Sequence, residues 1–523
     1  MAEIDKFEWA ADLKGYISDR ELVACTVIIA IIVNFVHLSS FSLSIDEELA
    51  SFAVQPWKLW IAQGRWGMGL LNLVLPDYAP IPFISTLIFI IGITVAALWL
   101  AQLVSKTRHE ALFFSGFFVA SPIWLNITEF NTLAAGTGIA MLITALALKL
   151  VSLERVLPVI CAGLCVGFAI GIYQSLIIVY TIGCVVLLFP GCYFWFDKKY
   201  AAVASFRRFF WIAVSFLIAA IFYILMQRML LFASGQHTTY IDSYVQVGEL
   251  FAAPKSTISR VLAETGGLLF GTDSVYLGWG RLLLVAPAVG FLYGVICIVR
   301  HGSSDYVRAL LSILALVLIV LSCAALIVMA AGRMPVRALI GFPFLFALLA
   351  INSYRIEFFR ARWPQWIFFG YAMLICVWIG AALFYADKVV RQRDQLMATQ
   401  IASVVNSIAH PSLHNSIPFV LVGEHSFPDE GVARHVQIFG SSFFEQDGGN
   451  PYRVAAYLRF LGVEGLQPLP ITRLQKYVLQ IRGMPSWPKP GSVSIIDHVL
   501  VIKLGDVSYQ QQLLLDASPS NKP

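Results

Sequence analysis

The chain has 523 residues, of which 59% are hydrophobic and 13% charged, and its mean hydropathy is +0.77. An ordinary soluble domain is roughly half apolar and about a quarter charged, so this composition excludes a soluble protein. The net charge of +5 is too small to indicate a nucleic-acid surface. The sequence therefore predicts a protein that uses lipid as its solvent.

Residues 1–20 are mixed and amphipathic, and no small-residue cleavage site follows the first apolar run. They predict a cytoplasmic helix that lies along the membrane face. All eight cysteines fall inside apolar runs without a CxxC pair, and the histidines near the C-terminus lack metal-ligand spacing. No cofactor is predicted, and a divalent metal is not indicated but is left open.

Long uncharged stretches predict the membrane spans, because a spanning helix needs about 20 mostly apolar residues. One stretch, 156–196, is long enough for two helices and is interrupted near its middle by Gly171, Tyr173 and Gln174. The count is about eleven transmembrane helices. The uncharged stretches are 22–45, 78–105, 111–128, 130–148, 156–196, 209–227, 282–299, 309–332, 338–354 and 363–386.

The distribution of Lys and Arg among the short loops predicts that the N-terminus is cytoplasmic, and an odd span count then places the C-terminus in the periplasm. We predict a transmembrane catalytic region at 21–387 with outer loops at 46–80 and 233–280. Residues 388–523 lose the span pattern and predict a small periplasmic α/β domain. Within it, Phe419 to Val422 and Val499 to Leu504 are predicted strands, and Arg453 to Leu461 is a predicted helix.

Three adjacent acids, Asp46, Glu47 and Glu48, directly follow the first predicted span. Such a cluster can be a solvated helix start, since carboxylates favour the first turn of a helix. The stretch PWKLWIAQGRWG at 56–67 follows, and its tryptophans suit a helix lying in the membrane interface. The acids and this stretch are therefore predicted to share the outer membrane face.

These segments resemble the membrane glucosyltransferases of the serotype-converting type II group, which decorate bacterial O-antigen. The resemblance rests on the acid cluster, the PWKLWIAQGRWG stretch, the segment GRMPVRAL with Arg333 and Arg337, and residues 484–504. It implies a GT-C type architecture with many membrane helices and an acidic catalytic residue in the first outer loop. It also implies a polyprenyl-phosphate sugar as donor.

The chemistry of such a donor fits a single carboxylate. A sugar on a lipid phosphate already has a good leaving group, so one base that deprotonates the acceptor hydroxyl is sufficient. This predicts inversion at the anomeric carbon, unlike a glycosidase with two carboxyl groups across the bond. Asp46 is the first candidate for the base and Glu47 the second, because the motif does not show which of these adjacent acids is the catalytic one.

The leaving phosphate needs fixed positive charge. Arg333 and Arg337 are candidates, since a helical turn would place them on one face; alternatively, both extend toward lipid headgroups. Lys58 and Arg65 are further candidates for binding the phosphate, in a stretch whose composition also fits an interfacial helix. Trp66 in the same stretch is a candidate for substrate binding. Glu129 in the second outer loop is a candidate for acceptor binding, although it also fits an ordinary polar turn.

The sequence therefore predicts an inner-membrane hexosyltransferase whose partners are a polyprenyl-phosphate sugar, expected to be glucose, a lipid-linked glycan acceptor such as O-antigen, and membrane lipids. Two alternatives are an O-antigen polymerase and a lipid-linked sugar flippase or transporter. A transporter should carry charged or broken helices at mid-membrane depth, whereas the predicted spans are uncharged at their centres. The sugar, linkage, acceptor residue and oligomeric state are left open.

Overall fold

The computed structural model describes residues 15–40, 42–50, 56–75, 83–194, 206–238, 244–302, 305–356, 363–408, 417–428, 432–434, 436–469, 473, 478–509 and 511–512. The predicted interfacial helix at 1–20 lies mostly outside these residues. The described chain is mainly helical with one small sheet, which confirms the predicted class. It divides into two compact units: a helical unit formed by Met1–Ser39 and Gln55–Ala381, and a sheet unit formed by Ser40–Val54 and Ala382–Pro523.

Most described residues belong to helices. In chain order these are α1 (Arg20–Val33), α2 (Phe35–Ser39), α3 (Glu47–Ala50), α4 (Pro56–Ala62), α5 (Trp66–Leu71), α6 (Ile84–Val104), α7 (Arg108–Val119), α8 (Pro122–Thr128), α9 (Asn131–Val151), α10 (Val156–Ile172), α11 (Leu176–Leu188), α12 (Phe206–Ser234), α13 (Val247–Ala252), α14 (Pro254–Phe270), α15 (Val285–His301), α16 (Tyr306–Met329), α17 (Gly341–Tyr354), α18 (Trp363–Ile408), α19 (Gln446–Gly449), α20 (Pro451–Phe460) and α21 (Val478–Gly483). Short 3-10 helices lie at Gly15–Ser18, Ser274–Tyr276, Trp279–Leu284 and Val336–Ala338.

Six of the described helical segments are long and apolar enough to cross a membrane, or seven if the bent pair α7 and α8 forms one span. Eleven spans are therefore not confirmed. The helices α10, α11 and α17 are apolar but have only 17, 13 and 14 residues. At ~1.5 Å per residue they rise ~20–26 Å, which is less than the ~30 Å hydrocarbon core. The six segments are Ile84–Val104, Asn131–Val151, Phe206–Ser234, Trp279–Arg300, Tyr306–Met329 and Trp363–Ile408.

The break between α10 and α11 falls at residues 173–175, where the sequence predicts an interruption. The first predicted span also divides, because α1 ends at Asn34, whose side-chain amide donates to the Ala30 carbonyl at 2.9 Å. Asparagine competes with the helical backbone in this way and is common at helix ends. Polar residues inside uncharged runs therefore set the helix boundaries here.

Glycine allows close helix contacts in the helical unit. A Cβ added to Gly92 of α6 would lie 2.3 Å from the carbonyl oxygen of Gly138 on α9. Neither backbone could approach so closely with a larger residue, which is how small residues let membrane helices associate. This crossing holds two of the long apolar helices together.

Ion pairs join segments that the sequence predicts on the same side of the membrane. Arg108 binds Asp19 at 3.1 Å, and Arg355 binds Glu110 at 2.7 Å. All four residues belong to predicted cytoplasmic segments. The orientation of that face stays a prediction.

The sheet unit contains four strands in the order β2-β1-β4-β3. β1 is parallel to both β2 and β4, whereas β3 and β4 form an antiparallel pair. The predicted strands and helix of this region are present within one or two residues of their predicted bounds. The strands are β1 (Ile417–Val422), β2 (Leu466–Pro468), β3 (Val493–Ile496) and β4 (Val499–Lys503).

Apolar side chains of β1 and β4 form the core of this sheet. Val420, Val422 and Val501 pack with Ile481 of α21, and each is at most 5% exposed. Continuous apolar runs are typical of a strand buried on both faces. Residues 46–80, predicted as a single outer loop, contribute to both units, because 40–54 belongs to the sheet unit.

The predicted orientation can be tested with single cysteines in a background that lacks the eight native ones. Lys489 and Arg155 are both exposed. We expect an impermeant thiol reagent to label Lys489→Cys in intact spheroplasts and Arg155→Cys only after permeabilisation, because the positive-inside rule places residue 155 in the cytoplasm. Labelling of residue 155 alone in intact spheroplasts would contradict the orientation.

Candidate functional site

The acid cluster lies at a turn in the sheet unit. Asp46 has a φ of +79° and precedes the short helix α3. Aspartate is one of the few non-glycine residues that adopts this left-handed conformation at modest cost. The Asp46 carbonyl accepts from the Ala50 amide at 2.9 Å, which closes the turn of α3. The local backbone thus directs three consecutive carboxylates into different surroundings.

One buried arginine contacts two of these acids. Arg453 donates from Nη2 to Asp46 Oδ1 at 2.7 Å and from Nε to Asp447 Oδ2 at 2.6 Å, and its Nη1 binds Glu48 Oε1. The arginine is 7% exposed. Its helix, α20, begins after Asn450, whose side chain accepts from the Tyr452 amide at 2.9 Å. A single guanidinium thus binds three carboxylates.

The three consecutive acids differ in accessibility. The Asp46 side chain is 45% exposed although one oxygen binds Arg453. Glu47 is buried, and its Oε2 accepts from the Ser44 amide at 2.7 Å. Glu48 is fully buried, and its Oε2 finds no hydrogen-bond partner among the described residues. Of the three, Asp46 is therefore the carboxylate that an acceptor hydroxyl can reach.

Burial dominates the electrostatics of Glu48. It raises the pKa of Glu48 to about 7, with Arg453 opposing the shift and Asp46 adding to it. The surrounding carboxylates hold the pKa of Arg453 above its ordinary value despite its burial. Near neutral pH, therefore, Glu48 is partly protonated while Arg453 stays charged.

A second buried network anchors the segment before the acids. Arg391 on α18 donates from Nε to the Leu43 carbonyl at 2.9 Å and from Nη1 to Asp394 at 2.6 Å. Asp394 also binds the Ser442 hydroxyl and accepts from the Phe443 amide at 3.2 Å. The backbone leading to Asp46 is thus held by charge-assisted hydrogen bonds within the sheet unit.

The helical unit gathers two of the predicted arginines around Tyr173. The Arg65 guanidinium lies 5.3 Å from the Tyr173 ring centre and donates to Gln174 at 3.4 Å. The Tyr173 hydroxyl donates to the Arg337 carbonyl at 2.9 Å. The Arg337 guanidinium lies 4.5 Å from the centre of the Phe130 ring. Tyr173 therefore contacts the Arg65 guanidinium and the backbone of Arg337, while the Arg337 side chain packs on Phe130.

Arg333 belongs to a different ion-pair network. It donates to Glu249 at 2.9 Å and to Gln246 at 3.1 Å, and Glu249 also binds Arg260 at 2.6 Å. The prediction that a helical turn places Arg333 and Arg337 on one face is wrong. Pro335 between them is extended, with φ −63° and ψ 140°, so the segment is not helical there.

The remaining predicted residues are distributed through the helical unit. Trp66 is 1% exposed and packs edge-on against Phe168 and Phe222, with ring centres 5.8 and 5.7 Å away. Lys58 lies 5.7 Å from the ring centre of its neighbour Trp57. Glu129 is buried at the end of α8. Substrate binding by these three residues stays a prediction.

Arg453, Asp447 and Tyr173 were not among the predicted site residues. The left-handed Asp447 and the glycines that follow it form a turn before α20, which the sequence signals as Asp-Gly-Gly-Asn-Pro. No pattern in the sequence links residue 453 to residue 46. Among the described residues, no group of three histidine, cysteine or acidic side chains is arranged to hold a metal ion.

Several long apolar helices among the described residues indicate a membrane protein. A family model described as glucosyl transferase GtrII matches residues 35–354, which is more than half of the chain. The chain belongs to the GtrII glucosyl transferase family, as the resemblance indicates, and glycosyl transfer is the activity that this membership supports. No curated protein and no solved structure matches the chain.

The raised pKa of Glu48 predicts a pH-dependent stability. A glutamate in the unfolded chain ionises near 4.5, whereas folded Glu48 keeps its proton up to about 7. Between these values the folded state binds more protons, so the contribution of Glu48 to the free energy of unfolding falls as the pH rises. Glu48→Gln is always neutral. The Tm of Glu48→Gln minus that of wild type should therefore be larger at about pH 8 than at about pH 5.

Thermal unfolding of the detergent-purified protein at both pH values measures this difference. Glu464→Gln, an exposed change in the same unit, is the matched control. A difference between wild type and Glu48→Gln that stays constant with pH would contradict the assignment.

Proposed function

We propose that the protein is an inverting glycosyltransferase. It moves a hexose, expected to be glucose, from a polyprenyl-phosphate donor to O-antigen or another lipid-linked glycan at the periplasmic face of the inner membrane. Family membership supports glycosyl transfer. The observation that carries the mechanism is Asp46, a half-exposed carboxylate held by a buried arginine.

Asp46 is the proposed general base. It accepts the proton of the acceptor hydroxyl while that oxygen bonds to the anomeric carbon of the donor. The bond from the same carbon to the phosphate oxygen breaks, and polyprenyl phosphate leaves with the bonding electrons. A single displacement inverts the anomeric configuration. Glu47 is less suited to this role because it is buried and bonded to the Ser44 amide.

Arg65 and Arg337 are the proposed ligands of the donor phosphate. The Arg65 guanidinium lies over the Tyr173 ring and the Arg337 guanidinium over the Phe130 ring, and arginine can bind a phosphate with two parallel hydrogen bonds. Arg333 is less suited, since it is exposed and already bonded to Glu249.

Incubation of the purified protein with polyprenyl-phosphate glucose and a lipid-linked acceptor tests this function. We expect an acceptor that is heavier by one hexose, with an inverted linkage by NMR. Longer glycans of unchanged repeat would indicate a polymerase. Movement of the donor lipid across vesicles without any product would indicate a flippase.

Asp46→Asn should lower kcat by ~10²–10⁴, the usual loss when a general base is removed. Asparagine is isosteric and also tolerates the left-handed backbone, so the fold should persist. Glu47→Gln should mainly lower thermal stability, and its kcat for each folded molecule should stay within about tenfold of wild type. Loss of activity in Glu47→Gln alone would reverse the assignment.

Arg337→Lys should lower kcat/KM at least about tenfold, because an ammonium cannot reproduce the planar fork of a guanidinium. Arg333→Lys is the matched control, since lysine can keep an exposed ion pair with Glu249. Kinetics with purified donor measure both variants. Equal loss in both, or in the control alone, would remove Arg337 from the phosphate site.

A further inference from the structure

The contacts of Arg453 extend beyond those of an ordinary buried ion pair. Each of the three nitrogen atoms of its guanidinium donates to a different carboxylate, on Asp46, Glu48 and Asp447. Asp46 alone among the three consecutive acids is both bound by this cation and substantially exposed. The same arginine that neutralises a buried carboxylate thus also holds the proposed base.

We infer that Arg453 is the positioning residue of the Asp46 carboxylate, so that the C-terminal segment of the chain completes the catalytic site. This inference rests on the proposed function. The family model ends at residue 354, and Arg453 therefore lies outside the segment that defines the family. The base and the group that holds it come from segments 407 positions apart.

The geometry lets Arg453 position Asp46. The bond from Nη2 to Oδ1, 2.7 Å long, fixes one carboxylate oxygen and thereby orients the other. The charged groups contacting this pair are Glu48 on Nη1 and Asp447 on Nε.

Other roles of Arg453 would have different effects. If Arg453 only stabilised the sheet unit, its loss would lower the amount of folded enzyme and leave each folded molecule unchanged. If it bound the donor, its loss would raise the KM for the donor. Positioning of the base instead predicts a fall in kcat for each folded molecule with little change in the KM for the donor.

The experiment compares Arg453→Gln with wild type in the purified, full-length protein assayed with polyprenyl-phosphate glucose. We expect kcat for each folded molecule to fall at least about tenfold, with the KM for the donor changed less than about threefold.

Arg434→Gln is the matched control. Arg434 is also buried in the sheet unit, binds Glu445 at 2.9 Å and donates to the Gly440 carbonyl at 3.0 Å. Its loss should cost stability without lowering kcat for each folded molecule. A wild-type kcat in Arg453→Gln, or a rise in the KM for the donor alone, would overturn the inference.

Loss of Arg453 leaves Glu48 buried without its cation, which can prevent folding. The double variant Glu48→Gln/Arg453→Gln removes that charge and should fold with the same loss of kcat. Asp46→Asn separates the two proposals. If it retains turnover, the proposed base is wrong; if it is inactive while the double variant keeps wild-type kinetics, only the role of Arg453 is wrong.

Discussion

The sheet unit depends on the neutralisation of buried negative charge by Arg453. Removing a carboxylate from water costs several kcal/mol unless the protein supplies a cation and hydrogen bonds. Glu48 is fully buried, so its ionised form is stabilised at this position by the guanidinium that meets it. This contact ties residues 40–54 to the region after residue 382, and the same guanidinium binds Asp46.

Different interactions stabilise the helical unit. Its helices associate through small residues and aromatic rings, as at Gly92 and Gly138 or around Trp66. Ion pairs such as Arg108–Asp19 and Arg355–Glu110 connect helix ends and connecting segments. Lipid provides no hydrophobic drive between helices, so close packing and end-to-end polar contacts hold them together.

The sequence predicts the sheet strands well, because an apolar run such as 419–422 indicates a strand without reference to the rest of the chain. The span count was less successful, since Asn34 ends α1 early and α10, α11 and α17 have only 17, 13 and 14 residues inside uncharged stretches. The spacing of Arg333 and Arg337 suggested a helix, but Pro335 disfavours helical geometry in the residue before it. Arg453 could not be found at all, because its partners are defined only by tertiary structure.

The two-segment origin of the sheet unit has a consequence for biogenesis. Residue 48 leaves the ribosome 405 positions before residue 453, which at ~5–20 residues per second is a delay of ~20–80 s. During that interval the acid segment has been synthesised but its counter-ion has not. The charge-neutralised turn can therefore form only when translation is nearly complete, and a prematurely terminated chain carries the family segment without this turn.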